Sequence, residues 1–136
     1  MSWSFQISTG ELSLDGTPVA RCYAGGGTGK NEPDCCSAQQ GSLGPGNFGP
    51  LPTGKYTIGP AYNDPERGQN TMRLIPDTGT EMYGRSGFLI HADRIKAPGD
   101  ASEGCIVPIL GAKGEPGLVV RAMIAASPDR DLEVQA

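Results

Sequence analysis

One histidine and one of four cysteines carry the chemistry this sequence can be expected to do. His91 closes the apolar run Gly87-Phe88-Leu89-Ile90, and Cys105 opens the run Ile106-Val107, fourteen positions further on. A cysteine attacks as its thiolate, and a neighbouring imidazole both favours that form and shuttles the proton. Gly104, directly before Cys105, leaves room for a carbonyl to approach the backbone closely. The amides of Gly104 and Cys105 are therefore expected oxyanion donors, and Ser102 is expected to brace the loop through its own backbone. A capping histidine and a buried filler cysteine are the bland alternative. The position of the sole histidine at a strand end and the Ser-x-Gly frame before the cysteine favour catalysis. His before Cys is the reverse of the order in papain-like hydrolases.

The elements that must hold this pair are predicted to be mostly strands. The chain has 136 residues, the length of one domain, read as 1–136, and is large enough to bury a core without staples. Its 21 glycines and 12 prolines punctuate short apolar runs, which argues for a turn-rich β domain over a helical bundle. Trp3, Phe5 and Ile7 alternate with polar residues as a half-buried strand does, Glu11 to Leu14 repeats the pattern, and Asp15-Gly16 is a hairpin turn leading to a third strand over Thr17 to Tyr23.

The pattern then stops from Ala24 to Gly49, a connection long enough to be a flap or a cleft wall. Within it, Gly25-Gly26-Gly27-Thr28-Gly29-Lys30 looks like a phosphate loop but is followed by Asn31-Glu32-Pro33, with none of the helix that motif opens. Gly49 to Pro52 forms a rigid turn into a strand ending at Ile58. Asn63 to Asn70 reads as polar loop and Met72 to Pro76 as a strand. The strand after Cys105 is expected to end at Pro108. Pro116 suits the first position of a single short helix with Leu118, Val119, Ala122, Met123 and Ala125 or Ala126 on its inner face, although Val119-Val120 keeps a strand reading open. Asp131 to Val134 is expected to be an edge strand.

Composition narrows the partners. A net charge of −4 argues against nucleic acid, which is bound through clustered Lys and Arg. No apolar run approaches the length of a membrane span, so no membrane insertion is expected. The start, Met-Ser-Trp-Ser-Phe-Gln, has no basic segment followed by an apolar one, which predicts synthesis in the cytoplasm without a signal peptide. Cys22, Cys35, Cys36 and Cys105 have no CxxC spacing, so neither a metal nor another cofactor is expected. A bridge from Cys22 to Cys35 or Cys36 stays open.

Two motifs in this order resemble a known family. Phe88-Leu89-Ile90-His91 followed by Ser102-Glu103-Gly104-Cys105-Ile106 is similar to the active-site signature of YkuD-like L,D-transpeptidases, and Pro52-Thr53-Gly54-Lys55-Tyr56-Thr57-Ile58 is similar to their upstream turn and strand. Glu103 departs from that pattern, which has a second His there, and the usual Arg after the Cys-hydrophobic pair is absent. Ser-Glu-Gly-Cys-Ile, the Trp-x-Phe opening, Thr9-Gly10-Glu11-Leu12 and Tyr23-Ala24-Gly25 resemble a smaller branch, the peptidoglycan-attacking toxins of type VI secretion.

The resemblance implies an L,D-transpeptidase-like β-sandwich with one short C-terminal helix and long cleft loops. It implies a Cys105 nucleophile and a His91 base acting on tetrapeptide stems, with L,D-carboxypeptidase or exchange activity. It also implies delivery to the periplasm of a target cell, with a cognate immunity protein and the secretion machinery as partners. Glu103, a candidate substrate-binding residue, either raises the thiol pKa or points to solvent. Arg85, Arg94 and Lys96 are expected either to meet stem carboxylates or to be solvated surface charges, and Tyr83 and Tyr56 to line the cleft or simply pack. The competing readings are a non-catalytic wall-binding module of the same fold and a housekeeping or phage-related wall hydrolase.

Overall fold

Alternating apolar residues at the start of the chain lay down the first three strands of a single sheet. A computed structural model describes residues 2–136. In it β1 (Trp3–Gln6), β2 (Glu11–Leu14) and β3 (Thr17–Ala24) form an antiparallel meander, as the alternation predicts. Trp3 and Phe5 point inward beside Leu12 and meet Leu132 and Val134 of the last strand in register.

Six more strands follow: β4 (Gly54–Ile58), β5 (Tyr62–Asp64), β6 (Gly68–Pro76), β7 (Leu89–Ile90), β8 (Ile106–Gly111) and β9 (Asp131–Gln135). They pair in the order β4-β9-β1-β2-β3-β8-β7-β6, and β6 pairs back onto β4. The expected sandwich is thus replaced by a closed eight-stranded barrel, with β5 attached outside it as a hairpin on β6. Closure removes free sheet edges, and eight strands leave an interior that side chains alone can fill. Phe5, Leu12, Met72, Ile90, Ile106 and Leu132, each at most 2% exposed, belong to that filling.

The barrel corrects four local expectations. Asn63 to Asn70 is a hairpin and not a plain loop, because Asp64 accepts the amides of Glu66 and Arg67 and makes the tight turn between β5 and β6. β8 runs through Pro108, which has no N–H to donate; the register with β3 shifts between Arg21 and Cys22, and this bulge accommodates it. The last strand is not at an edge: β9 lies between β1, parallel, and β4, antiparallel.

The fourth concerns α1 (Gly117–Ala126), where Pro116 stands one position outside as the cap. The buried residues of α1 are Val120, Arg121 and Ile124, whereas Leu118, Val119 and Met123 of the predicted inner face are exposed. Arg121 hides the true stripe from a sequence reading, since it packs its stem inward and donates Nε–H to Gln69 O at 3.0 Å. The C-terminal end of α1 is fastened by Arg130, which donates to the carbonyls of Ile124 and Ser127 and to those of Ile58 and Gly59 beyond β4.

Candidate functional site

The short parallel pairing of β7 with β8 positions the two candidate residues. Ile90 and Ile106 are register partners and both face the core. His91 directly follows the last residue of β7 and Cys105 directly precedes the first residue of β8, so the two flank this register pair. The His91 amide donates to Ile106 O at 3.2 Å, which locks the end of β7 onto β8.

The imidazole is held in one tautomer. Nδ1 lies 2.8 Å from Ala92 O, and a carbonyl can only accept, so Nδ1 carries the proton and Nε2 presents a lone pair. Among the described residues, Nε2 is the one buried side-chain nitrogen or oxygen with no hydrogen-bond partner. Burial lowers the pKa of His91, with the Arg67 and Arg121 charges adding to the effect against the Ala92 carbonyl and Asp93. The ring is therefore neutral at pH 7, the form that can accept a proton.

Cys105 is 5% exposed, and burial raises its pKa. Two groups oppose that shift: the Leu89 amide, which donates to Sγ at 3.3 Å, and the Arg67 guanidinium. Glu103 acts in the same direction as burial. The resting group is a thiol, so attack requires that its proton be taken by a base.

Ser102 ties the loop together. Its Oγ donates to Cys105 O at 2.6 Å and accepts the amides of Gly25 at 2.9 Å and Gly104 at 3.1 Å. The Gly104 amide is thus engaged by Ser102 and not free as an oxyanion donor, while the Leu89 amide is the one directed at the sulfur. Gly104 has φ +137, and a Cβ there would stand 2.5 Å from Phe88 Cε1, so only glycine fits. A second brace runs from β3. Tyr23 donates its hydroxyl to Asp93 Oδ1 at 2.6 Å and accepts the Ala101 amide at 2.9 Å, while Asp93 accepts the amides of Arg94 and Gly99. Both ends of the segment joining His91 to Cys105 are thereby fixed to the barrel.

Cys105 opens onto a cleft of about 380 Å³, the size of a small-ligand site. Ala38, Gln39, Gln40, Phe48 and Gly49 form one wall, so the long 24–49 connection is a cleft wall. Its phosphate-loop-like glycines fold into a 3-10 turn over Gly27–Gly29, with the Gly26 amide on Phe48 O and the Thr28 amide on Asn47. His91 does not line the cleft; it is buried at 2% exposure.

The other expected binding residues are dispersed. Glu103 lines the cleft, is exposed, and accepts from Gln40 Nε2 at 3.4 Å. Arg85 also lines it, but its guanidinium donates to the carbonyls of Cys36, Gly49 and Pro50 and stacks over Phe88, so it clamps the cleft wall instead of standing free for a carboxylate. Tyr56 is packed in the core with its hydroxyl on Pro52 O, and Tyr83 is an exposed turn residue whose carbonyl accepts from Gln39. Neither lines the cleft that holds Cys105. Arg94 and Lys96 are exposed.

Arg67 is the cleft residue that sequence reasoning missed. It lies on the β5–β6 turn, read as polar loop, 38 positions from Cys105 with no motif around it. All four cysteines are free thiols, with Cys22 in the core, which closes the question of a bridge in this structure. No group of His, Cys, Asp and Glu among the described residues could hold a metal ion, and no helix is long and apolar enough to cross a membrane.

Comparison with known proteins gives one result. Residues 19–109 match the family described as the Tlde1 domain, from β3 through the 24–49 wall, the β5–β6 turn, His91 and Cys105. Neither a curated protein nor a solved structure matches the chain.

Proposed function

The chain belongs to the Tlde1 domain family, a family of type VI secretion effectors that target peptidoglycan, and on that premise we propose that it is a cysteine enzyme acting on the peptide stems of the wall. The observation that carries this reading is the Nδ1-tethered His91 with its unpartnered Nε2, directly after β7, while the cleft-lining Cys105 directly precedes β8, the strand paired with β7. An Nε2 lone pair that no other group of the protein occupies is what a general base needs in order to accept a proton.

In the proposed reaction, His91 Nε2 takes the Cys105 proton as Sγ attacks the carbonyl carbon that joins the L-centre of the third stem residue to the terminal D-amino acid. The tetrahedral intermediate collapses to a thioester, the C–N bond breaks, and the imidazolium returns the proton to the leaving amine. Water, deprotonated by His91, then hydrolyses the thioester and gives L,D-carboxypeptidase activity; a free D-amino acid in its place gives L,D-transpeptidase exchange. Either outcome withdraws donor stems from cross-linking. The family supports delivery into target cells, and the periplasm is where this substrate lies; a cognate immunity protein there would protect the producer.

The test is incubation of purified protein with tetrapeptide muropeptides and mass analysis of the products, beside Cys105→Ala and His91→Ala. Loss of the terminal residue, or its replacement by an added D-amino acid, is expected from the wild type alone. Unchanged stems from the wild type, with binding to sacculi retained, would favour the non-catalytic wall-binding module. Expression in the periplasm adds a second readout: toxicity equal to that of Cys105→Ala would reject the enzymatic reading.

A further inference from the structure

Charges on the cleft that the proposed reaction leaves unused are Arg67, Arg85 and Glu103. Two guanidiniums against one carboxylate give the walls a net positive sign, but the two arginines are not equivalent. Arg85 already donates to three carbonyls. Two hydrogen bonds fix the Arg67 backbone, its amide donating to Asp64 Oδ1 at 2.9 Å and its carbonyl accepting from Ala92 at 2.9 Å, while its guanidinium reaches the Cys105 thiol and lowers that group's pKa. Ala92 is the residue whose own carbonyl holds His91 Nδ1, so the Arg67 turn is registered directly against the base. Gly68, next in the turn, has φ +97, and a Cβ there would stand 2.8 Å from the Ala92 side chain; the close docking needs glycine. A rigid backbone thus carries a long cationic side chain to the cleft wall beside Cys105.

The geometry of a stem end supplies what such a cation could bind. In a peptide cleaved one residue from its C-terminus, the terminal carboxylate follows the scissile carbonyl by an amide nitrogen and one Cα. Standard bond lengths put that carboxylate carbon about 3–4 Å from the carbon under attack. A carbonyl seated at Sγ therefore brings the carboxylate of the leaving residue within reach of a guanidinium on the same wall, and arginine pairs with carboxylates in a bidentate, directional way.

We infer that Arg67 is a specificity-determining residue that receives the free C-terminal carboxylate of the stem, restricting the enzyme to uncapped stem ends. This rests on the stem-cleaving reading above and adds to it which peptides are taken: those ending in a carboxylate, not those whose terminal carboxyl is amidated or joined to a neighbour.

The test uses two synthetic stem tetrapeptides that differ only in a C-terminal carboxylate or carboxamide, with release of the terminal residue followed by mass spectrometry. Wild type is expected to favour the carboxylate by at least about tenfold in kcat/KM, the loss typical of a missing charge-assisted pair. Arg67→Gln should bring the ratio close to one, and Arg67→Lys should keep part of it. The ratio separates recognition from support, since a merely structural arginine would slow both peptides equally. If Arg67→Gln does not fold, the Lys variant carries the same comparison. Equal turnover of both peptides by the wild type, or a wild-type ratio in Arg67→Gln, overturns the inference and leaves the stem-cleaving reading intact. Turnover of neither peptide by the wild type overturns both.

Discussion

Removing one hydroxyl should loosen the whole candidate site. Ser102 is 4% exposed, and its Oγ is the meeting point of three backbone groups: the Cys105 carbonyl, the Gly25 amide and the Gly104 amide. Ser102→Ala leaves all three without that partner at once. A buried polar group deprived of its partner costs about 1–3 kcal/mol. The three are not independent, because the freed loop can relax and admit water, so about 2–4 kcal/mol in total is expected.

That is a large part of the roughly 5–15 kcal/mol a domain has in hand. At about 3–5 °C per kcal/mol for a chain of this size, the melting temperature should fall by roughly 6–20 °C. Thermal unfolding followed by circular dichroism measures it. The same substitution releases Gly25 from the Cys105 loop, so the thiol should become more reactive toward a neutral alkylating reagent as it gains solvent. A melting temperature within about 2 °C of wild type, together with unchanged alkylation, would refute the view that Ser102 knots the site.

Two further outcomes follow from the same geometry. The folded protein holds His91 neutral, with its pKa below the ordinary 6.5, so the unfolded chain binds more protons between the two values and stability falls as pH drops through that window. Melting temperatures measured from pH 8 to pH 5 should decline more for wild type than for His91→Asn below about pH 6.5, and parallel curves would show that the ring is not held neutral. Arg85→Ala, which frees the carbonyls of Cys36, Gly49 and Pro50, should make the 36–50 stretch markedly more sensitive to limited proteolysis; a wild-type cleavage pattern would mean that the clamp is not what orders the wall.

Several local features were legible in one dimension because they depend on residue type at short range. Glycine before Cys105, the Asp15-Gly16 turn and the period-two alternation of Trp3, Phe5 and Ile7 act on neighbouring backbone, and each appears where the sequence puts it. The helix face was not legible. Its inner stripe includes Arg121, whose burial depends on Gln69 O, a partner 52 positions away. Tyr56 and Arg85 show the same limit: both types suit a binding cleft, and here one fills the core while the other clamps carbonyls.

The sequence by itself determined a turn-rich β domain, a lone histidine and a cysteine at strand ends, and the glycine that the cysteine's loop requires. Only the tertiary structure decided that the sheet closes on itself, since closure depends on β6 meeting β4 and on β9 inserting between β1 and β4, pairings between distant segments that no local pattern encodes. The parallel pairing of Ile90 with Ile106 joins the strands that His91 follows and Cys105 precedes, and the Asp64 turn brings Arg67 to the cleft that Cys105 lines. Residue type sets what each local segment can form, and the barrel's register sets which distant segments meet.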